Sequence, residues 1–467
     1  MTPIDFYPFE TQSKSDWLKL VEKDLKGKDF DQTLVSSVWG QIRQEPFYTR
    51  EDLPGTNQPM RFHPPSDIPG MSPRLWSNAV SIYNTSDPKT NEEILNHLQN
   101  GADALILHLE GNENWDTLLK GVLLEYISIY LLPENNELTA IWDFIQWLKN
   151  QKLGNNQLHG ALLWSPTSPL FEGQSDFSVA ADEGAKLLEA FAKFPDFRAC
   201  TIDLARYNNS GGTGIQEITF GLGELIEITT HWIESGLNAQ FVFENIAFHS
   251  AVGSAHFPEI VKLKSLRKLI SDVTGKFGAA QDQESIHLLC STSQFSKSYL
   301  DKNSNYIRQT YEASAAIIGG CNTLWVRPAE GESAGSLETR IARNVSTVLR
   351  EESYLDKVID PSAGAYYLES IQAKLEDILR ENIAELEKNG GWLAQFKSRI
   401  VQKEIREARK STQELIVNHE KVIIGANYSI PDEKLVNNLL FHPIQEEEYA
   451  LLPTRATYLL ESKKLNQ

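Results

Sequence analysis

The run Gly331-Glu332-Ser333-Ala334-Gly335 sets a serine between glycines at the spacing G-x-S-x-G. In a nucleophile elbow this spacing lets the chain turn sharply from strand to helix and holds the hydroxyl out to attack an ester. Asp356 or Asp360, then His419 or His442, follow in the order such an elbow uses. The plainer reading, a glycine-rich turn before a helix, is the stronger one. Pro328-Ala329-Glu330 separates the motif from its strand, and few strands remain downstream to position an acid and a base. A second cluster, Gly211-Gly212-Thr213-Gly214, precedes a helix expected from near Gln216. Free amides at a helix start can hold phosphate, but the spacing is not G-x-G-x-x-G, so a plain loop is the better reading. His249 and His256 lack ligand partners at metal spacing and read as surface or satisfied core residues.

The elements able to position such groups begin at Ala79, where short apolar runs start to alternate with longer helical ones. Eight runs read as strands: Ala79–Tyr83, Ala104–Leu109, Tyr126–Leu132, Leu158–Trp164, Arg198–Leu204, Ala239–Glu244, Ile286–Cys290 and Thr323–Val326. They are near-continuous apolar segments, as strands covered on both faces should be. Thr90-Asn91-Glu92-Glu93 has the capping-box pattern, with Ile94, Leu95 and Leu98 facing inward and Gly101 ending the helix. Ala313, Ala316 and Ile317 lead similarly into Gly319-Gly320. Eight strands alternating with helices predict an α/β fold of the (β/α)8 TIM type. An open doubly wound sheet would suit six or seven. Trp164 and Trp325 end the fourth and eighth strands, so both indoles are expected to share an inward layer and close the axis. A slip of one residue would turn either outward. Arg327 then falls at the barrel mouth, within expected reach of Glu110 or Glu244.

Three parts are expected: an arm over 1–75, the barrel over 76–353 and a helical extension over 354–467. The arm opens with an amphipathic helix from Ser15, apolar at Trp17, Leu20 and Val21 and ended by Gly27. Pro46, Pro54, Pro59, Pro64, Pro65, Pro69 and Pro73 make the rest extended. Its aromatics, Trp17, Phe30, Trp39, Phe47 and Tyr48, read as exposed anchors for a partner. The extension breaks at Asn389-Gly390-Gly391-Trp392, resumes as a helix from about Ala394 to Val417, and has a terminal strand and turn over Lys421–Tyr428. Its Glu- and Leu-rich end is a candidate for packing on a partner.

A formal net charge of −19 argues against a nucleic-acid partner, which would demand clustered Lys and Arg. Three separated cysteines, Cys200, Cys290 and Cys321, do not make a disulfide framework and fit a reducing, cytoplasmic setting. No basic, apolar leader opens the sequence, and no stretch reaches the ~20 apolar residues of a membrane helix.

Several ordered motifs resemble the methylmalonyl-CoA mutase family. They are Trp39-Gly40-Gln41-Ile42-Arg43 with Pro46–Leu53, Ala251-Val252-Gly253-Ser254 with Glu259–Arg267, and Asn305-Tyr306-Ile307-Arg308 with Ile318-Gly319-Gly320. Arg340-Ile341-Ala342-Arg343-Asn344 with Glu351-Glu352-Ser353, Asp360–Glu369 and Gly425-Ala426-Asn427-Tyr428 complete the set. The resemblance implies a barrel enclosing an acyl-CoA, and radical interconversion of (R)-methylmalonyl-CoA and succinyl-CoA with adenosylcobalamin. In the family a C-terminal domain holds the cobalamin through a D-x-H-x-x-G histidine. Many bacterial forms pair a catalytic large subunit with an inactive, related small one.

The chain departs from the catalytic pattern. No Asp lies two positions before any of the ten histidines, and the sequence stops where the cobalamin domain would begin. Catalytic members read R-P-W-T-I-R-Q-Y-A-G-F at the first strand, where this chain reads Arg74-Leu75-Trp76-Ser77-Asn78-Ala79-Val80-Ser81-Ile82-Tyr83. Y-H-M-Q-E-A-G becomes Tyr207-Asn208-Asn209-Ser210-Gly211-Gly212, so Asn208 replaces the histidine that serves the thioester carbonyl. S-L-H-T-N becomes Thr323-Leu324-Trp325-Val326-Arg327. Arg308 falls where the family contacts CoA, though pairing with an acidic neighbour is an equal reading. The resemblance thus implies a non-catalytic small subunit, with no catalytic residues of its own. Tyr207, Asn208, Arg308, Trp325 and Arg327 are candidates for a vestigial substrate pocket. The large subunit is the implied partner and would hold the adenosylcobalamin, with none bound by this chain alone. The alternatives are a regulatory barrel that binds a CoA ester and, third, a serine hydrolase using Ser333.

Overall fold

The computed structural model describes residues 12–53, 72–174, 176–430 and 443–465. Pro54, Pro59, Pro64, Pro65, Pro69 and His442 lie outside them. An antiparallel pair, β1 (Ser36–Val38) and β2 (Ile42–Gln44), sits in the arm. The parallel strands follow: β3 (Ser77–Ile82), β4 (Ala104–Leu109), β5 (Ser128–Pro133), β6 (His159–Leu162), β7 (Phe197–Arg198), β8 (Cys200–Asp203), β9 (Ile246–Val252), β10 (His287–Thr292) and β11 (Thr323–Trp325). Their order is β7-β6-β5-β4-β3-β11-β10-β9-β8. β7 and β8 are two halves of one strand interrupted at Ala199. One half pairs with β6 and the other with β9, so eight strand positions close into the expected (β/α)8 barrel.

Seven strands lie on or within a few residues of their sequence positions. The sixth does not. Ala239–Glu244 is a short helix, and the strand is Ile246–Val252. The Asn238 side chain accepts the Phe241 amide and caps that helix, so the apolar run enters the α conformation. A six-residue apolar segment has no period that separates a buried strand from one buried turn of helix. The capping box at Thr90 is also absent. The helix Thr90–Gln99 starts from Lys89 without a side-chain cap, and the Thr90 hydroxyl donates to Asn84 O at 2.7 Å. Lys421–Tyr428 forms no strand; Asn427 closes it as a turn by donating to Ile416 O and Lys421 O, both at 2.8 Å. The helix expected to run from about Ala394 is broken into Gly391–Lys397 and Ile400–Val417, with Arg399 at φ 64° between them.

Most of the apolar core lies between barrel and helices. Helix Tyr366–Lys388 packs on helices Gly214–Glu234 and His256–Lys276, burying Leu368, Ile371, Leu375 and Leu379. The end of the extension folds onto its own barrel. Thr454 N–H donates to Asn209 O at 2.9 Å, and Ala456 N–H to Phe295 O at 2.8 Å.

The arm also docks internally. Trp17 packs on Phe47 (centroids 4.8 Å apart) and edge-on to Phe30, while Tyr48 packs at a tilt against Tyr367. Trp39 lies against Gly214, and the Lys14 ammonium bonds Glu45 at 2.8 Å and Asp52 at 2.5 Å. Of the five aromatics expected to be exposed, only Phe47 is, at 40%. Leu20, one of the apolar positions of the first helix, is 57% exposed.

Candidate functional site

Alternate residues of each strand face the barrel axis. Ala79, Ala104, Ile106, Tyr130, Ala161, Ala247, Leu289 and Trp325 form an axial core separate from the outer one. The four alanines leave room for two large side chains. Tyr130 on β5 crosses the axis to β10 and β11, its hydroxyl 2.7 Å from His287 Nε2 and 2.6 Å from Thr323 Oγ1. Above it, Trp325 donates from Nε1 to Ser81 Oγ at 3.0 Å. Trp164 is not in this layer. Leu163 takes the inward phase, so Trp164 packs outside the barrel beside Gly184 and Pro166. The axis is therefore filled by one of the expected tryptophans and by a tyrosine.

The mouth carries the polar groups. The Arg327 guanidinium stacks on Trp325, 4.4 Å from its ring centroid, and forms no ion pair among the described residues. Neither expected acid serves it: Glu110 is exposed, and Glu244 lies on the helix before β9, where it accepts from Gln240. Burial lowers the Arg327 pKa, and nearby Tyr83 and Asp203 oppose this. His108 stacks on Tyr83 at 4.1 Å. Its Nε2 has no hydrogen-bond partner, and burial, then the Arg327 charge, pushes the imidazole down to about 3, so it is neutral at pH 7.

Beside them stands a line of three residues whose alignment the sequence does not reveal, although His249 was singled out. Asp203 Oδ1 lies 2.8 Å from His249 Nδ1, and His249 Nε2 lies 2.9 Å from Ser291 Oγ. Burial raises the Asp203 pKa, but the His249 charge, its hydrogen bond, and Arg206 and Arg327 together bring it below the usual range. The order is acid, imidazole, hydroxyl, yet Ser291 is fully buried, level with Trp325 in the strand register. No substrate carbonyl can reach it, so His249 is the satisfied core histidine expected of it. The signal was a polar residue at the inward phase of three apolar strands. It was illegible because the sixth strand had been placed at Ala239–Glu244, so His249 had no strand to sit on.

The five pocket candidates do not meet. Trp325 and Arg327 share the mouth. Tyr207 lies behind the barrel wall, donating to Glu224 Oε1 at 2.5 Å and accepting from Trp392 Nε1 at 2.9 Å. Burial, then the Glu224 charge, raises its pKa far above the ordinary phenol value. Asn208 donates to Glu217 Oε2 at 3.0 Å and accepts from Ser293 Oγ at 2.8 Å. Glu217 in turn bonds the buried Lys262 at 2.7 Å. Arg308 lies on the outer face, donating to Asn305 Oδ1 at 2.7 Å and Ile424 O at 2.5 Å, in place of an acidic neighbour.

The remaining motifs are structural. Ser333 is exposed on a single 3-10 turn and donates to Glu330 O at 2.8 Å, with no histidine bonded to it among the described residues. The glycine cluster is occupied by the chain itself. A Cβ on Gly211, Gly212 or Gly214 would fall 2.5 Å from Arg409, Ile405 or Trp39, leaving no room for an anion. Asp360 accepts from Lys264 Nζ at 2.9 and 3.0 Å, and Arg343 Nη1 lies 3.1 Å from His97 Nδ1. The first of these contacts ties the extension to the barrel, and the second joins two helices of the barrel itself. Among the described residues no group of His, Cys, Asp or Glu could hold a metal ion, and no helix is long and apolar enough to cross a membrane.

A family model described as methylmalonyl-CoA mutase matches residues 106–452. A methylmalonyl-CoA mutase small subunit of Porphyromonas gingivalis is 26% identical over 442 residues, covering 90% of this chain and 70% of its own. One from Streptomyces virginiae is 27% identical over 445 residues, with the same coverage. A methylmalonyl-CoA mutase of Cereibacter sphaeroides is 26% identical over 467 residues, covering 89% of this chain and 64% of its own. With the barrel closed as that resemblance requires and the match running over most of the chain, this protein belongs to the methylmalonyl-CoA mutase family.

Proposed function

We propose that this chain is the small, non-catalytic subunit of a methylmalonyl-CoA mutase heterodimer, and that it stabilises a cobalamin-bearing large subunit. The observation that carries this reading is the filled axis. Tyr130 bonds across the barrel from β5 to β10 and β11, and Trp325 caps it, where an acyl-CoA arm would need a passage. Each aromatic fills roughly 150–250 Å² of contact surface, so threading a pantetheine would mean expelling both. The same observation weighs against the regulatory CoA-binding reading. The residues at the mouth do not suit a corrin either. A guanidinium on Trp325 and an Asp–His pair beside it would give a flat, apolar macrocycle a charged seat. In the heterodimer the large subunit would hold adenosylcobalamin and perform the radical chemistry. The division into arm (1–75), barrel (76–353) and extension (354–467) goes with this reading, as does a cytoplasmic, propionate-metabolising setting.

Co-expression with a cobalamin-binding mutase subunit tests it. The expected result is a stable 1:1 complex with mutase activity and one cobalamin, and no cobalamin spectrum or acyl-CoA binding for the chain alone. Stoichiometric cobalamin or tight acyl-CoA binding by the isolated chain would overturn it.

A further inference from the structure

A cavity of about 180 Å³ opens beside the barrel mouth, between the loops after β10 and β11 and the returning segment 453–455. Its cations are Lys297, Arg327 and Arg455, and no Asp or Glu lines it. That is unusual in a chain of net charge −19. Two of the cations are neutralised from behind. Lys297 bonds Glu312, and Arg455 bonds Glu461 at 2.8 Å while stacking 3.5 Å from the Tyr299 ring centroid. Arg327 makes no direct ion pair among the described residues, and the carboxylate that acts on its charge, Asp203, is already bonded to His249. The Arg327 side chain rests on the Trp325 face, and its backbone N–H donates to Thr292 Oγ1 at 2.9 Å. Its guanidinium thus reaches a partly desolvated cavity without a carboxylate bonded to it, and there an anion interacts more strongly than in water.

A second observation concerns a polar group in the cavity wall. Gln294 lines the same cavity, and its Oε1 is buried without a hydrogen-bond partner. Buried amides are ordinarily satisfied, and an orphan asks for a ligand or a water. The ends of a side-chain amide are interchangeable by rotation, so Gln294 can offer NH2 to an anion or accept from a protonated one. The walls come from Thr292–Ala329 and from Pro453–Arg455, far apart in sequence and locked by the Thr454–Asn209 and Ala456–Phe295 backbone bonds. The site is therefore preorganised by tertiary structure.

We propose that this cavity binds a small oxyanion, a phosphate or a short dicarboxylate, with Arg327 as its main contact and Gln294 and Arg455 completing the shell. At about 180 Å³ the cavity suits a phosphate or a diacid of three or four carbons and is smaller than the ~300–1,000 Å³ pockets that enclose larger ligands. The inference goes beyond the small-subunit reading: a barrel without catalysis would still sense an anion, and either claim can fail alone.

The test uses the full chain and two probes, inorganic phosphate and malonate, each titrated at constant ionic strength with chloride as the balancing salt. Binding is read by calorimetry and by the shift in melting temperature. The expected result is saturable binding to one site, weakened roughly tenfold or more in Arg327→Gln and unchanged in Lys403→Gln, on the exposed helix Ile400–Val417. Phosphate binding without malonate would assign tetrahedral phosphate, and the reverse a dicarboxylate. Should Arg327→Gln fail to fold, Arg327→Lys keeps the charge but loses the planar fork, and malonate binding is then expected to weaken more than phosphate binding. Two results would overturn the proposal. One is a shift that chloride reproduces. The other is equal binding by the parent and the folded Arg327 variant.

Discussion

The carboxyl of Glu224 shows how far a single residue can be understood from its surroundings. It lies fully buried behind the barrel wall, accepting hydrogen bonds from Tyr207 and Thr167. Burial raises its pKa to about 7 from 4.5, against the pull of Arg206 and the two hydrogen bonds. The folded state thus keeps the proton to higher pH than the unfolded chain. This group's contribution to stability is full below about pH 4.5 and falls as pH rises through about 7. We predict that Glu224→Gln flattens this part of the pH profile, so that between about pH 5 and pH 8 the parent loses up to ~3 kcal/mol relative to the variant. Urea unfolding at both values checks it, and parallel slopes would sink it. Tyr207 was legible as a motif residue, but its partners were not. Glu224 and Trp392 are 17 and 185 positions away, and nothing local links them. Asn208 likewise stands where a catalytic histidine was sought, and it turns out to hold Glu217, part of a buried network around Lys262.

At the scale of elements, local rules worked where the packing agreed with them. The strands β4 and β10 and the glycine end of helix Lys302–Gly319, with Gly320 at φ 101°, were readable because a buried run or a left-handed cap is a local demand. The capping box at Thr90 failed because Asn84 O, on the preceding loop, captures the threonine hydroxyl. The arm was read as partner-facing because its aromatics had no visible cover in sequence. Trp17, Phe30 and Phe47 cover one another, while the cover of Trp39 and Tyr48 comes from helices more than 150 residues downstream, at Gly214 and Tyr367. That contact can be tested. A Cβ at Gly214 would sit 2.5 Å from Trp39 Cζ2, while alanine in a helix gains only ~1 kcal/mol over glycine. The clash should win locally. Gly214→Ala is expected to release the arm, seen as faster tryptic cleavage within residues 12–53 and a shift in tryptophan emission, with the barrel transition unchanged within ~1 kcal/mol. Identical proteolysis in both proteins would count against the latch.

For the molecule as a whole, the extension is part of the barrel's fabric. Leu375, Leu379, Trp392, Val401 and Ile405 are all fully buried, most of them in contact networks with helix Gly214–Glu234. Burying each such side chain contributes ~1.5–3 kcal/mol, and total domain stabilities are only ~5–15 kcal/mol. A chain truncated after Ser362 should therefore fail to fold, appearing in inclusion bodies or binding a hydrophobic dye with broad, non-cooperative melting. A monomeric truncation with a sharp transition would show the barrel to be independent.

The sequence by itself determined the strand count, the barrel and the family, because these rest on buried apolar runs and on motifs spread in order along the chain. It also raised the expectation, from the resemblance alone, that the family's catalytic signatures are replaced at three places. Only the tertiary structure decided what fills the axis. Side chains alternate with a period of two, and a shift of one residue separates Trp325 inside from Trp164 outside. Only it could bring Asp203, His249 and Ser291 into line, or set Arg327 beside Gln294 and Arg455. Those residues come from different strands and from the returning end of the chain, and their separation in sequence carries no trace of their distance in space.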